Sequence, residues 1–260
     1  MASLNLTSNK EWPVSKLLLP RRQLLKGAAA LAAYSALPKA EARTIPTTFF
    51  GNVAPFCSGS AYSAPTTLYS ANYINSGTYT YTAGASAGAL VVVLAAQQET
   101  TGSKFISAFT DSVGNSYKRA VQTAGTAGYY CSEIWWTKVT KAIIATTTTF
   151  TLTTAGHQVL SVYATSGGNA APDKTANNEF ASATSYSLST SALACANEIL
   201  FSVVSPTTNA SYLASGPGFT ATDANGYTYY DIVASTSAVT FAPTSTGHSQ
   251  TVTICLASFR

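Results

Sequence analysis

The chain has 260 residues, of which 46% are hydrophobic and only 9% are charged, and its formal net charge is +4. Six of the 14 lysines and arginines, but only two of the 10 acidic residues, precede residue 43. The rest of the chain therefore holds eight of each and is about neutral. Without a basic stripe to neutralise phosphates, we expect no nucleic-acid binding. No stretch after residue 42 approaches the ~20 apolar residues of a membrane-spanning helix, so we do not expect an integral membrane protein.

The first 42 residues are typical of a cleaved export signal. A basic pair, Arg21 and Arg22, precedes a short apolar run over 27–37. Ala40 and Ala42 then supply small residues at the two positions that a signal peptidase reads. The apolar run has only about half the ~20 residues of a membrane span. The alternative interpretation is a structural first helix.

The arginine pair lies in "PRRQLLK" (20–26), which resembles the twin-arginine export signal, although Pro20 and Leu24 replace its more usual residues. The resemblance implies the twin-arginine export machinery as a partner. It also implies a product in the periplasm, at the cell surface or outside the cell. An ordinary secretory signal whose basic region holds two arginines would export the chain as well.

The remaining residues, 43–260, read as one all-β domain. Short apolar or alternating segments, rich in β-branched and aromatic residues and bounded by turn residues, predict strands. They lie at 78–83, 89–96, 104–110, 129–139, 147–154, 158–165, 198–204, 227–233, 238–244 and 250–259. No segment after residue 43 has the pattern of an amphipathic helix. We therefore expect a two-sheet antiparallel β-sandwich, of the jelly-roll or immunoglobulin-like kind.

Two halves of this domain look related. "TFTLTTAGH" (149–157) and "TFAPTSTGH" (240–248) match at Thr, Phe, Thr, Gly and His, and an apolar strand follows each. Chance similarity in a threonine-rich chain is the alternative. A duplication predicts half-repeats at about 78–165 and 190–260, joined by a polar, turn-rich connection over 166–189.

The chain also resembles a diffuse group of secreted bacterial and phage-associated β-sandwich domains. The resemblance rests on an Asn-Glu-Ile-Leu strand start (197–200), a hairpin of the form Asp-x-x-Gly-Asn-x-Tyr (111–117), a strand that bears tryptophan, and an apolar closing strand. It implies the fold but no single activity.

The strand "YYCSEIWW" (129–136) holds the best candidates for ligand binding. Alternation places Ile134 and Trp136 on one face, expected in the core, and Tyr129, Glu133 and Trp135 on the other. An aromatic ring beside a carboxylate suits stacking on a sugar ring, so these three residues form a predicted glycan platform, outside the sheet or under a loop. The alternative is that both tryptophans fill the core, which is the commoner use.

Four cysteines follow the signal, Cys57, Cys131, Cys195 and Cys255. An even number in an exported protein suggests two disulfides, of unspecified connectivity. Twin-arginine cargo normally folds in a reducing cytosol, so one bridge or none is also open. Cys131 and Cys255 lie within predicted strands and could be buried thiols.

The sequence offers little for catalysis. His157 and His248 stand at equivalent repeat positions, and the carboxylates of Asp111 and Asp223 stand in matching hairpins, where Asp commonly binds its own backbone. No zinc-ligand spacing, nucleotide-binding or hydrolase motif is present. We expect no enzyme, metal or cofactor. The expected function is structural, adhesive or surface-assembling, with self-association. A glycan-binding module and a carbohydrate-active hydrolase are the alternatives.

Overall fold

A computed structural model describes residues 57, 59–98, 105–126, 130–153, 157–207, 213–223 and 225–260. The export signal, with Arg21, Arg22, Ala40 and Ala42, lies outside the described residues. Those that are described belong to one compact unit, Val53–Arg260. They form strands and no helix, which confirms the predicted all-β class.

Eight strands make up the first half of the fold. They are β1 (Thr66–Ile74), β2 (Gly77–Thr80), β3 (Leu90–Gln98), β4 (Ala108–Asp111), β5 (Lys118–Ala124), β6 (Tyr130–Lys138), β7 (Thr149–Thr153) and β8 (His157–Thr165). The first large sheet has the antiparallel order β1-β8-β3-β6-β5, and a small sheet has the order β2-β7-β4.

Nine strands make up the second half. They are β9 (Pro172–Ala183), β10 (Leu188–Ser189), β11 (Glu198–Pro206), β12 (Leu213–Ala214), β13 (Thr220–Ala221), β14 (Thr228–Val233), β15 (Thr240–Phe241), β16 (Thr244–Ser245) and β17 (Gln250–Phe259). The second large sheet has the order β13-β14-β11-β17-β9, and two short ladders pair β10 with β15 and β12 with β16.

The two large sheets share one strand order. In each half the first strand pairs with the last, the last with the third, and the third with the sixth. In the first half β7 pairs with both β2 and β4, and in the second half β15 pairs with β10 and β16 pairs with β12. The strands β15 and β16 together therefore take the place of β7. This wrapping is that of a jelly roll, and it occurs twice along the chain.

The matched segments of the two halves place the same residue in the same environment. Phe150 and Phe241, which align in the two "TF" motifs, are both fully buried. The Phe150 ring lies 5.1 Å from that of Phe109, and the Phe241 ring lies 4.7 Å from that of Phe219. Each phenylalanine thus anchors its own half.

Both faces of the first large sheet are covered. The even-numbered residues of β3, from Leu90 to Ala96, join a core with the second half. The odd-numbered residues, Val91 to Ala95, join a separate core under the small sheet. The prediction of two sheets over one core was therefore incomplete, because a second buried layer lies on what was expected to be the outer face.

The predicted polar connection over 166–189 was wrong in part. Residues Pro172–Ala183 form β9, a 12-residue strand that pairs with β17. Its side chains are partly buried or exposed, because β9 lies at the edge of its sheet. A strand in this position needs no apolar run, so its polar composition resembles that of a loop.

Among the strands of five or more residues, five carry no charge, and four of these five are interior strands. The uncharged β7 lies between β2 and β4, and β17 lies between β11 and β9. The edge strand β1 is interrupted by a register shift after Thr67 and by Tyr73, whose φ is 56°. The Leu68 carbonyl on β1 already accepts from the Thr82 amide at 2.8 Å. These irregularities guard the edge at β1 against the addition of a strand from another chain, which weakens the expectation of self-association.

Candidate functional site

Glu133 and Trp135 lie together in a closed cluster on β6. The Glu133 side chain is fully buried and Trp135 is 8% exposed. Trp135 Nε1 donates to Glu133 Oε2 at 2.8 Å, and Arg119 Nε donates to the same oxygen at 3.2 Å. The Arg119 guanidinium stacks over the indole, 4.6 Å from its centroid.

The ion pair between Glu133 and Arg119 also binds the main chain of Ile106. Glu133 Oε1 accepts from the Ile106 amide at 2.6 Å, and Arg119 Nη2 donates to the Ile106 carbonyl at 2.5 Å. Both backbone groups of Ile106 are therefore satisfied by side chains. Glu133 and Arg119 thus make the two hydrogen bonds to Ile106 that a neighbouring strand would otherwise make.

This arrangement corrects the predicted glycan platform. The indole of Trp135 packs into the core beneath the small sheet, and Glu133 has no exposed surface. The alternation of faces was right, but the face that carries both residues is covered. Tyr129, the third predicted member, lies outside the described residues.

One disulfide joins the two halves. Cys57, which precedes β1, is bonded to Cys195, which lies between β10 and β11, 138 residues further along. Cys131 and Cys255 are not disulfide-bonded and are fully buried, which corrects the expectation of a second bridge. Cys131 Sγ contacts Gln97 Oε1 at 3.1 Å, and Cys255 Sγ contacts the Ser132 carbonyl at 3.2 Å. Burial raises the pKa of Cys255 well above its ordinary value, so this thiol stays protonated.

The hairpin aspartates serve their own turns. Asp223 accepts hydrogen bonds from three amides, those of Asn225, Tyr227 and Thr228, at 2.6–3.2 Å. Asp111 Oδ1 accepts from the Asn115 amide at 2.8 Å. The two turns are locally alike, but they are not equivalent in the fold as predicted. Asp111 ends β4 of the small sheet and precedes the connection to β5, whereas Asp223 lies between the paired strands β13 and β14.

The predicted histidine pair is not brought into a site that the structure describes. His157 begins β8, but its side chain lies outside the described atoms, and His248 is exposed before β17. In the part of the chain that the structure describes, no three or more His, Cys, Asp or Glu side chains are grouped as metal ligands.

A groove at the junction of the halves was not predicted. It has a volume of about 510 Å³ and is lined by Thr126 and Tyr130 from the first half and by Glu179, Ala181 and Thr251 from the second. Glu179 is the only charged side chain among these residues. It lies on β9, in the segment that the sequence presented as a polar connection, so no local signal marked it.

Three donors fix the Glu179 carboxylate in this groove. Oε2 accepts from the Thr126 amide at 2.8 Å and from the Thr126 hydroxyl, and Oε1 accepts from the Tyr130 hydroxyl at 2.8 Å. Burial by itself would raise the pKa of Glu179, but these hydrogen bonds lower it below its ordinary value. Burial and the neighbouring carboxylate raise the pKa of Tyr130 to about 12. At neutral pH an ionised acid therefore faces a neutral phenol.

Glu198 forms a second unpredicted cluster, beside the disulfide. It is fully buried, and its Oε1 accepts from the Cys195 amide at 3.0 Å. Asp173 Oδ2 accepts from the adjacent Ala194 amide at 2.7 Å. Burial, reinforced by Asp173, raises the pKa of Glu198. The two carboxyls thus fix the backbone next to the bridged Cys195.

Comparison of the chain with protein-family models, curated proteins and solved structures found no significant match. Among the described residues, none belongs to a helix with the length and apolar character needed to cross a membrane.

Proposed function

We propose that this protein is an exported, non-enzymatic β-sandwich protein with a structural and adhesive role at the cell surface. The observation that carries the proposal is the Cys57–Cys195 disulfide, which links the two jelly-roll halves. Disulfides of this kind persist in oxidising compartments outside the cytosol. The basic pair Arg21 and Arg22 at the start of the chain supports the same destination.

The use of the carboxylates supports a structural role. Six of those described accept hydrogen bonds from the protein itself: Asp111, Glu133, Asp173, Glu179, Glu198 and Asp223. All six bind main-chain amides, and Glu179 also accepts from two hydroxyls of the other half. Carboxylates held in this way stabilise the scaffold. A glycosidase instead needs two carboxyl groups that face a substrate from opposite sides.

The experiment is fractionation of cells that express the full chain, followed by thiol labelling with and without reductant. We expect a shortened, disulfide-bonded protein in the exported fraction. The double variant Arg21→Lys, Arg22→Lys should stay unprocessed in the cytosol, because the twin-arginine receptor reads the arginines themselves. An ordinary secretory signal would tolerate two lysines.

Retention of the unaltered protein in the cytosol, with Cys57 and Cys195 reduced, would overturn the proposal. Export that continues in the double lysine variant would keep the surface role but replace the twin-arginine route with the general secretory one. A hydrolytic activity on polysaccharides that is lost in a carboxylate variant would overturn the non-enzymatic part.

A further inference from the structure

We propose that the groove lined by Thr126, Glu179 and Ala181 binds a neutral oligosaccharide. The inference deepens the adhesive part of the proposed function and rests on it for the biological setting. Binding to the purified protein is measured without reference to export, so the two can fail separately.

The size and position of the groove suit a small ligand. Its volume of about 510 Å³ falls within the roughly 300–1,000 Å³ of small-molecule sites. The walls come from the β5–β6 hairpin on one side and from β9 and β17 on the other. These elements are also tied together outside the groove, since Asn177 Nδ2 donates to the Gln122 carbonyl at 2.9 Å. The ligand would meet a preformed surface.

The fixed acceptors in the groove call for a ligand that donates hydrogen bonds. A carboxylate offers about four acceptor positions, and three of those on Glu179 are used by Thr126 and Tyr130. The Thr126 hydroxyl donates its hydrogen to Glu179, which leaves its oxygen as an acceptor. The hydroxyls of a sugar supply such donors.

The charge of the groove selects against anions. Glu179 is ionised at neutral pH, and no Lys or Arg is found among the described lining residues. An acidic sugar would therefore be repelled at close range. The exposed Ala181 methyl adds apolar surface, which matches the C–H groups of a neutral sugar rather than a strongly hydrated cation.

Gly125 lies close to the ring of Tyr130, whose hydroxyl donates to Glu179 beside the groove. A Cβ at Gly125 would lie 2.2 Å from the Tyr130 ring, so only glycine allows the hairpin to close over it. The phenol oxygen thus reaches Glu179 from a fixed direction.

The test is calorimetric titration of the purified full-length protein with oligosaccharides of one length and different charge. Cellotetraose, maltotetraose and chitotetraose are the neutral probes, tetragalacturonate is the anionic one, and the chitosan tetramer is the cationic one. We expect saturable binding of at least one neutral probe and none of the anionic probe. Glu179→Gln, which keeps the size of the side chain, should weaken that binding about tenfold. A loss of this size corresponds to one charge-assisted hydrogen bond.

A steric variant separates binding from folding. Ala181→Trp fills the groove without removing a hydrogen bond and should abolish binding. The matched control is Thr175→Trp, at another exposed position of β9, about 20 Å away along the strand. It should bind like the unaltered protein, and thermal melting should show that both variants fold.

Three results would overturn the inference. One is no binding of any neutral tetrasaccharide at concentrations up to ~10 mM, beyond the millimolar range of weak ligands. The second is unchanged binding in Ala181→Trp. The third is tighter binding of the cationic tetramer than of its neutral counterpart, which would make Glu179 an amine site instead.

Discussion

Trp135 donates its indole N–H to Glu133, two residues earlier on the same strand, at 2.8 Å. In an extended strand, residues two apart lie on one face, so a carboxylate and a tryptophan in this spacing can satisfy each other. Arg119 completes the set from β5 by pairing with the acid and stacking on the ring. The cluster closes the core beneath the small sheet.

We predict that Trp135→Ala destabilises the protein by about 3–5 kcal/mol, because it empties a buried site and removes a donor from Glu133. Urea denaturation monitored by circular dichroism measures this change. The control is Ile144→Ala, since Ile144 is 61% exposed and should change stability by only about 0.5 kcal/mol. A Trp135→Ala protein of unaltered stability would mean that the ring is not part of the core.

The thiols give a second prediction. Without reductant, the native protein should show no rapid reaction with Ellman's reagent, and the unfolded protein should show two thiols, those of Cys131 and Cys255. Cys57→Ser should cost about 2–5 kcal/mol in unfolding free energy, because it opens a loop of 138 residues. Four reactive thiols in the unfolded protein would contradict the bridge.

The third prediction concerns pH. The pKa of Glu198 is raised in the folded protein, above an unfolded value of about 4.3. Its contribution to stability is therefore fully present below about pH 4.3 and is lost as the pH rises through the folded pKa. Glu198→Gln mimics the protonated acid, so its unfolding free energy should fall less than that of the unaltered protein between acidic and mildly alkaline pH.

Glu179 supplies the opposite control for this experiment. Its folded pKa is lowered, so its contribution is present above about pH 4.3 and is lost as the pH falls through the folded pKa. Glu179→Gln should therefore flatten the acid side of the stability profile. If Glu198→Gln and Glu179→Gln flattened the same side of the stability profile, one of the two pKa directions would be wrong.

A fourth prediction tests the role of the second hairpin. Asp223→Ala leaves several turn amides without their acceptor and should cost about 1–3 kcal/mol, measured by thermal melting. Addition of Ca²⁺ or of a chelator should leave the melting temperature of the unaltered protein unchanged. A chelator-sensitive melting temperature would instead indicate that Asp223 serves a cation.

The sequence predicted the apolar strands well and the edge strands poorly. All ten predicted strands overlap observed ones, because β-branched and aromatic runs such as β3 and β11 are buried on both faces. The longer strands β1, β5 and β9 were missed, since their solvent-facing side chains are polar and no apolar pattern marks them. The two-residue strands β10, β12 and β13 were missed as well.

The site was harder to predict because it depends on contacts distant in the chain. Alternation placed Glu133 and Trp135 on one face correctly, but nothing local showed that a second layer covers that face. Glu179 contacts Tyr130, which lies 49 residues earlier in the chain. Glu198, on β11, lies beside Asp173, on β9. Only the arrangement of the sheets brings these side chains together.

The cross-link between Cys57 and Cys195 also determines how the molecule would respond to pulling. Tension applied between the N-terminal segment and Arg260 would pass through the sulfur atoms and bypass the 137 residues between them. About 450–500 Å of extended chain, at roughly 3.3–3.6 Å per residue, would stay out of the loaded path. The first jelly roll is thus shielded from force, and chemical reduction would release that hidden length.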